Sequence, residues 1–166
     1  MKGLKKMITF EKITEDYIDV IVEITNSNQN YNVMENGAPT RTKEALFKEY
    51  FQSTNQSETY FIKLDDTYIG LIDFLKLNPR DGFPWLGLLI IHGDYQGYGF
   101  GTNAFELFEE QIKSRENIHA LRLGVLIENH QAKEFWKSHG FSYVENKTNT
   151  DGIEVEVYEK DYSKGI

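Results

Sequence analysis

Three glycines at alternate positions, Gly97, Gly99 and Gly101, form the segment of this chain with the clearest capacity for chemistry. They follow an apolar run from Trp85 to His92, whose branched residues predict a buried strand. Apolar residues at helical spacing come after them and predict a helix. A glycine loop between a strand and a helix can bind phosphate, because the N–H groups of the first helical turn are free and the helix dipole favours negative charge.

Two common phosphate-binding patterns do not match this loop. A Walker A loop requires a lysine after its last glycine, whereas Thr102 follows Gly101. The dinucleotide fingerprint has a different glycine spacing and an acidic residue about 20 positions later, where His119 and Ala120 lie. The run that starts at Gln96 instead fits Gln/Arg-x-x-Gly-x-Gly/Ala. Taken alone, this short pattern is equally consistent with a glycine-rich turn that caps a helix.

A second motif follows the predicted helix and the next strand. It runs from Asn129 to Phe141 and fits Asn-x-x-Ala-x-x-Phe-aromatic-x-x-x-Gly-Phe. Asn129 is a predicted N-cap, and Gly140 is placed as the left-handed residue that ends the helix. The two motifs, in this order, resemble the GNAT superfamily of N-acetyltransferases. The resemblance covers roughly residues 58–158.

The resemblance implies a fold and a reaction. The fold is α/β (α+β), with a mixed, twisted central sheet of six or seven strands and helices on both faces. The reaction is transfer of an acetyl group from the co-substrate acetyl-CoA to a primary amine, by direct attack in a ternary complex. The acceptor is a small-molecule or peptide amine. The alternative is an acyl-CoA-binding regulatory module that has lost catalysis.

The resemblance also implies which residues hold the co-substrate. The glycine loop and first helical turn offer N–H groups to the pyrophosphate, the preceding strand offers backbone groups to the pantetheine arm, and the second motif adds contacts. Tyr98 occupies a position where many relatives have Lys or Arg. The expected cofactor-binding residues are Leu89, Ile91, Gln96, Gly97, Tyr98, Gly99, Phe100, Gly101, Thr102, Asn129 and Phe135.

The acceptor side is expected in the polar segment 26–41, which we predict to be a loop between two helices. In the GNAT fold this segment overhangs the acceptor. Tyr31, Met34 and Glu35 are therefore candidates to line the substrate site. The competing interpretation is a surface loop whose aromatic residue packs into the core.

The general acid has no obvious candidate. Relatives often have a tyrosine where this chain has Trp136, and an indole N–H has no useful acidity. Tyr143 or a water molecule is the substitute. Assistance is not essential, because a thiol has a pKa of about 8.5 and its thiolate is a tolerable leaving group.

The general base is also open between two residues. A primary amine has a pKa of about 10.4 and must lose a proton before attack. Many relatives use a glutamate on the strand before the loop, but residues 85–91 contain no carboxylate. His92, at the end of that strand, and Asp73, on the preceding strand, are the candidates. Each also has a structural interpretation, as a turn residue and as a solvated surface charge respectively.

Composition restricts the class of protein. The chain has 166 residues, no cysteine and a net charge of −8, which argues against disulfides and against a non-specific nucleic-acid binder. We expect a single domain over residues 1–166 in the cytoplasm, with no nucleic-acid or membrane partner and no metal. The predicted oligomeric state is monomer or homodimer.

The predicted elements place both motifs next to strands. Strands are expected at residues 8–13, 58–64, 68–75, 85–92, 120–125, 141–146 and 153–159. Helices are expected after the N-caps Thr14 and Thr42, over 102–113 and over 130–139. This order is the order of the GNAT fold.

Overall fold

The computed structural model describes residues 6–163, which form one seven-stranded sheet and five α-helices. The strands are Ile8–Lys12 (β1), Glu58–Leu64 (β2), Thr67–Leu75 (β3), Trp85–Ile91 (β4), Ala120–Leu126 (β5), Ser142–Thr148 (β6) and Glu154–Asp161 (β7). The helices are Ile18–Asn26 (α1), Gln29–Asn36 (α2), Lys43–Phe51 (α3), Phe100–Glu116 (α4) and His130–Ser138 (α5). Within residues 6–163, no helix is both long enough and apolar enough to cross a bilayer.

The sheet has one parallel pair, which lies at its centre. The strand order is β1-β2-β3-β4-β5-β7-β6, and every neighbouring pair is antiparallel except β4 and β5. In the described part of the chain, β4 and β5 are in register at a single pair, Trp85 and Arg122. The remainder of β4 therefore has an edge that β5 does not fill.

Helices cover both faces of the sheet, which confirms the predicted mixed architecture. Successive strand residues point to opposite faces. Phe61 accordingly packs in a cluster with α1 and α3, whereas Ile62 packs in a second cluster with α4 and α5. Ile21 of α1 and Phe105 of α4 are fully buried, and burial of such a side chain contributes about 1.5–3 kcal/mol.

The prediction of a loop over residues 26–41 was wrong, because helix α2 lies within it. The helix ends at Gly37, whose left-handed φ of 79° suits a C-terminal glycine. Asn32 is its buried residue. The amide of Asn32 donates to the carbonyl oxygens of Thr25 and Pro39 at 3.0 and 2.9 Å. Buried polar contacts, rather than an apolar stripe, hold this helix in place, so hydrophobic spacing did not predict it.

Candidate active site

The unpaired edge of β4 leads directly into the glycine loop. The N–H of His92 donates to the carbonyl oxygen of Ile69 on β3 at 2.7 Å. Because antiparallel strands alternate their hydrogen-bonding direction, the N–H and C=O of Ile91 point the other way, toward the gap beside β5. Leu89, two residues earlier, points its backbone groups to the same side. Its N–H and C=O therefore face the gap between β4 and β5.

The loop that follows has a backbone conformation that only glycine adopts at low cost. Gly97 and Gly99 have φ values of 86° and 83°, in the left-handed region. A Cβ atom on either residue would meet nothing within 4 Å. Glycine is therefore needed at these positions for the left-handed φ, and the space that a Cβ would occupy is open. Helix α4 begins at Phe100, two residues before the predicted start, so the free N–H groups of its first turn include those of Gly101 and Thr102.

Side-chain hydrogen bonds hold this loop in place. The Gln96 amide donates to the Ile91 carbonyl oxygen and to Asn28 Oδ1, both at 2.8 Å. The Gln96 side chain thus holds the loop against the rest of the protein. Tyr98, in contrast, is 70% exposed and packs loosely on Phe100, with ring centroids 6.0 Å apart.

Helix α5 supports the start of α4. Asn129 Oδ1 accepts a hydrogen bond from the N–H of Ala132 at 3.1 Å, so Asn129 is the N-cap that its position in the motif predicts. The Phe135 ring lies 3.8 Å from where a Cβ on Gly101 would be. The second motif therefore packs directly against the first turn that follows the glycine loop.

Trp136 is a core residue. Its side chain is buried between Phe105 and Phe141, with ring centroids 5.0 and 5.4 Å away. The edge-to-face geometry with Phe105 is a favourable aromatic contact. These contacts account for a large ring at this position by packing.

A cavity of about 240 Å³ lies on the face of the sheet that carries α1, α2 and α3. It is bounded by the three helices, the segments that follow α2 and α3, and strands β2, β3 and β4. Its lining residues are Thr25, Tyr31, Asn32, Glu35, Arg41, Glu49, Tyr50, Ser53, Asn55, Ser57, Thr59, Asp73, Gly87, Leu88 and Ile90. The structure thus brings Tyr31, Glu35 and Asp73 together; Met34 is not among the lining residues.

Negative charge predominates in this cavity. Glu35, Glu49 and Asp73 contribute three carboxylates, and Arg41 contributes one guanidinium. Arg41 Nη1 is 2.9 Å from Glu49 Oε1, so the positive charge is already paired. Within residues 6–163, no three His, Cys, Asp or Glu side chains form a group that could hold a metal ion. The excess of carboxylates gives the cavity the electrostatic character expected of a site for a cationic group.

Two phenols in the cavity are held in their protonated form. The Tyr31 hydroxyl donates to the Glu35 carboxylate. Burial, together with nearby carboxylates, raises the pKa of Tyr31 and of Tyr50 well above its ordinary value. Both phenols therefore stay protonated to a higher pH than an exposed tyrosine does.

Asp73 is the carboxylate held against strand β4. Its Oδ1 accepts from the Thr59 hydroxyl at 2.6 Å. Burial raises the pKa of Asp73, and hydrogen bonds from Thr59 and Ser57 partly oppose this effect. A Cβ on Gly87 would lie only 2.6 Å from Asp73 Oδ2. Glycine at position 87, where the β3–β4 register shifts, is what allows this close approach.

The other two catalytic candidates lie elsewhere. His92 Nδ1 accepts from the N–H of Asp94 at 3.0 Å, and its Nε2 is 3.5 Å from Glu23 Oε2. Tyr143 is 53% exposed on the edge strand β6, and its hydroxyl donates to Asn146 at 2.6 Å. Neither His92 nor Tyr143 is among the residues that line the cavity.

Two positions that contact the candidate site escaped the sequence analysis. Gly87 interrupts an apolar strand, which is a recognised signal for a bulge or a close backbone approach. Asn28 joins α1 to α2 and contacts the glycine loop. One asparagine among several in a polar segment gives no comparable signal.

Comparison with known proteins places this geometry in a family. The model of the Acetyltransferase (GNAT) family matches residues 22–141. No curated protein matches the chain.

Solved structures share the fold. An acetyltransferase from Thermus thermophilus is 21% identical with a TM-score of 0.79, covering 93% of this chain and 96% of that one. The spermidine N-acetyltransferase of Vibrio cholerae, solved with CoA and spermine, is 20% identical with a TM-score of 0.72, covering 95% and 96%. An acetyltransferase from Salmonella typhimurium that modifies the N-terminal serine of a 50S ribosomal subunit protein is 13% identical with a TM-score of 0.74, covering 93% and 94%. Because the family model matches well over half of its length, this chain belongs to the GNAT family of acetyltransferases.

Proposed function

We propose that this protein transfers an acetyl group from acetyl-CoA to a primary amine in a ternary complex. The observation that carries the proposal is the position of β4 between two sites. Gly87, Leu88 and Ile90 of this strand line the acidic cavity, and the same strand leads into the glycine loop. One rigid element thus connects an acceptor site to a donor site.

The donor site fits acetyl-CoA, which supplies the acetyl group as a thioester when bound. The loop and first turn from Gly97 to Thr102 present N–H groups beside open space, as a pyrophosphate requires. Leu89 presents its backbone groups along the unpaired β4 edge, where an extended arm can add like a strand. The Ile91 carbonyl is already bonded to Gln96 and Asn28, so Ile91 would contribute through its N–H.

The acceptor site would attract the amine in its charged form and then remove a proton. Glu35 and Asp73, the two lining carboxylates that Arg41 does not pair, favour a cationic amine by Coulomb attraction. Asp73 would accept the proton, directly or through water. Because burial raises the pKa of Asp73, the gap between its proton affinity and that of the amine is smaller than for an exposed aspartate.

Release of the thiol would proceed with little help from the protein. Trp136 lies in the core and Tyr143 is exposed outside the cavity. A thiol pKa of about 8.5 makes its anion a modest base that needs no strong acid. A second candidate function is an acyl-CoA-binding regulatory module. The packing of Trp136 in the core favours it, because many relatives have the acidic tyrosine at this position.

An amine screen separates the two functions. CoA release from acetyl-CoA is measured with polyamines, amino sugars, amino acids and peptides with free N-termini, with the wild-type protein and with Asp73→Asn. The proposal predicts turnover with at least one cationic amine and a loss of about 100-fold or more in Asp73→Asn, the usual range for removal of a general base. Tight binding of acetyl-CoA without turnover on any amine would favour the regulatory module.

A further inference from the structure

Asn28 joins helix α2 to the donor loop through a defined set of hydrogen bonds. Its Nδ2 donates to the carbonyl oxygens of Ile24 and Ile91 at 3.0 and 3.2 Å. Because carbonyl oxygens only accept, these contacts fix which end of the amide is nitrogen. The Asn28 Oδ1 atom accepts from Gln96 Nε2 at 2.8 Å. The first residue of the glycine-loop motif is thus bonded to the residue that precedes α2.

A second contact strengthens the same connection. The N–H of Gly93, between β4 and the loop, donates to Ser27 Oγ at 2.9 Å. Ser27 Oγ in turn donates to the Ile24 carbonyl at 2.7 Å. The junction between α1 and α2 is therefore tied both to the end of β4 and to the loop itself.

Helix α2 carries acceptor-side residues from this junction into the cavity. The N–H of Asn32 donates to the Asn28 carbonyl at 3.0 Å, so Asn28 begins the helix. Tyr31 and Glu35 of the same helix line the cavity. A displacement of Asn28 would move both side chains.

Apart from the two hydrogen bonds of Asn32 to Thr25 and Pro39, few other contacts hold α2 in place. The helix has eight residues, and isolated helices of this length are marginal in water. Its buried residue is a polar one, Asn32, and Val33 is 48% exposed. A short helix with little apolar burial belongs to the part of a protein that opens at low free energy. The position of α2 therefore depends on a small set of polar contacts, those of Asn32 inside the helix and those of Asn28 at its start.

We propose that Asn28 is a positioning residue that couples the two substrate sites. Acetyl-CoA bound at the glycine loop restrains Gln96, the Gln96–Asn28 hydrogen bond restrains α2, and α2 positions Tyr31 and Glu35 for the acceptor. Coupling of this kind is reciprocal, so acceptor binding also tightens the binding of acetyl-CoA. The inference rests on the proposed donor site.

Hydrogen exchange with acetyl-CoA as the sole ligand tests this coupling. Peptides covering residues 97–104 report on the donor site, and peptides covering residues 29–36 report on α2. In the wild-type protein, acetyl-CoA should slow exchange in both regions, with an effect on α2 of about fivefold or more, the low end of coupling between sites. In Asn28→Ala, protection of 97–104 should remain and the effect on α2 should disappear.

Three further variants make the result specific. Gln96→Leu breaks the same hydrogen bond from the other side and should also abolish the effect on α2. The double variant should show no additional loss, because the proposed coupling passes through the hydrogen bond that Gln96 and Asn28 share. Asn30→Ala, which changes an exposed residue of the same helix, should behave like the wild type. Circular dichroism of each variant confirms that it is folded.

The outcomes separate this inference from the proposed function. Protection of 97–104 without any change in 29–36 in the wild type would overturn the coupling and leave the donor site intact. An α2 effect that survives in folded Asn28→Ala and Gln96→Leu would also overturn it. No protection in either region would contradict the donor site, and the coupling with it.

Discussion

Replacing Gly87 with alanine is expected to impair acetyl transfer by displacing Asp73. The new Cβ would lie 2.6 Å from Asp73 Oδ2, whereas ordinary contacts begin at 3.4 Å. The carboxylate must therefore move by about 0.8 Å, the difference between these distances. Gly87 is not among the described glycines with positive φ, so its backbone accepts alanine without left-handed strain.

The expected loss follows from this displacement. A misplacement of about 1 Å in a catalytic arrangement costs about 100-fold in rate, so Gly87→Ala should lower kcat/KM by about 30- to 100-fold. The rate is measured as CoA release with the best amine from the screen, and circular dichroism and thermal unfolding confirm the folded state.

Two controls isolate the role of Asp73. Gly124→Ala makes the same change on β5, where the new Cβ would lie 3.3 Å from a Val155 methyl group, and it should retain activity within about threefold. In an Asp73→Asn background, Gly87→Ala should cause little further loss, since the displaced group is already inactive. Full activity in Gly87→Ala, or fully additive losses in the double variant, would refute this reasoning.

Three other predictions follow from the site. Burial raises the pKa of Asp73 in the folded protein, so at a pH just above the ordinary value of 3.8 the folded state binds more protons than the unfolded state. The free energy of unfolding should therefore fall as the pH rises from 3.8 through the raised pKa. Urea unfolding from about pH 4 to about pH 8 should show Asp73→Asn gaining stability relative to the wild type over that interval. In Gly99→Ala the free loop should relax out of the left-handed conformation, and acetyl-CoA binding must restore it at roughly 1 kcal/mol, so affinity should fall by about fivefold in calorimetry. Gly152→Ala, at a similar φ in another turn, should leave the affinity unchanged. Trp136→Phe removes the indole N–H and should keep kcat within about twofold, whereas loss of a general acid costs about 100-fold or more.

Local signals predicted the backbone structure of the proposed donor site. The alternating glycines, the N-cap Asn129 and the C-terminal Gly140 each have a short-range physical cause, and φ values of 83–92° occur at Gly97, Gly99 and Gly140. The strands and four of the five helices follow from apolar spacing in the same way. Bounds differed by a few residues, as at α4, where a left-handed Gly99 starts the helix earlier.

The acceptor side depends on contacts between distant residues, which spacing does not encode. Asp73 becomes a partly buried cavity residue because β3 pairs with β4 in a register that places its carboxylate against Gly87. Helix α2 forms because Asn32 bonds to carbonyl groups seven residues away on either side. The sequence offered both Asp73 and His92 as the base; the structure places Asp73 in the cavity with Tyr31 and Glu35, and places His92 outside it.

The most direct test of the central claim is thermal unfolding with acetyl-CoA, with ATP and NAD as controls. A ligand at 100 times its dissociation constant stabilises the folded state by about 2.7 kcal/mol, which raises Tm by roughly 5–10 °C for a chain of this size. The account predicts this shift with acetyl-CoA and not with ATP or NAD, and a smaller shift in Gly99→Ala. No shift with acetyl-CoA on folded protein would contradict the donor site, and the glycine loop would then be a helix-capping turn.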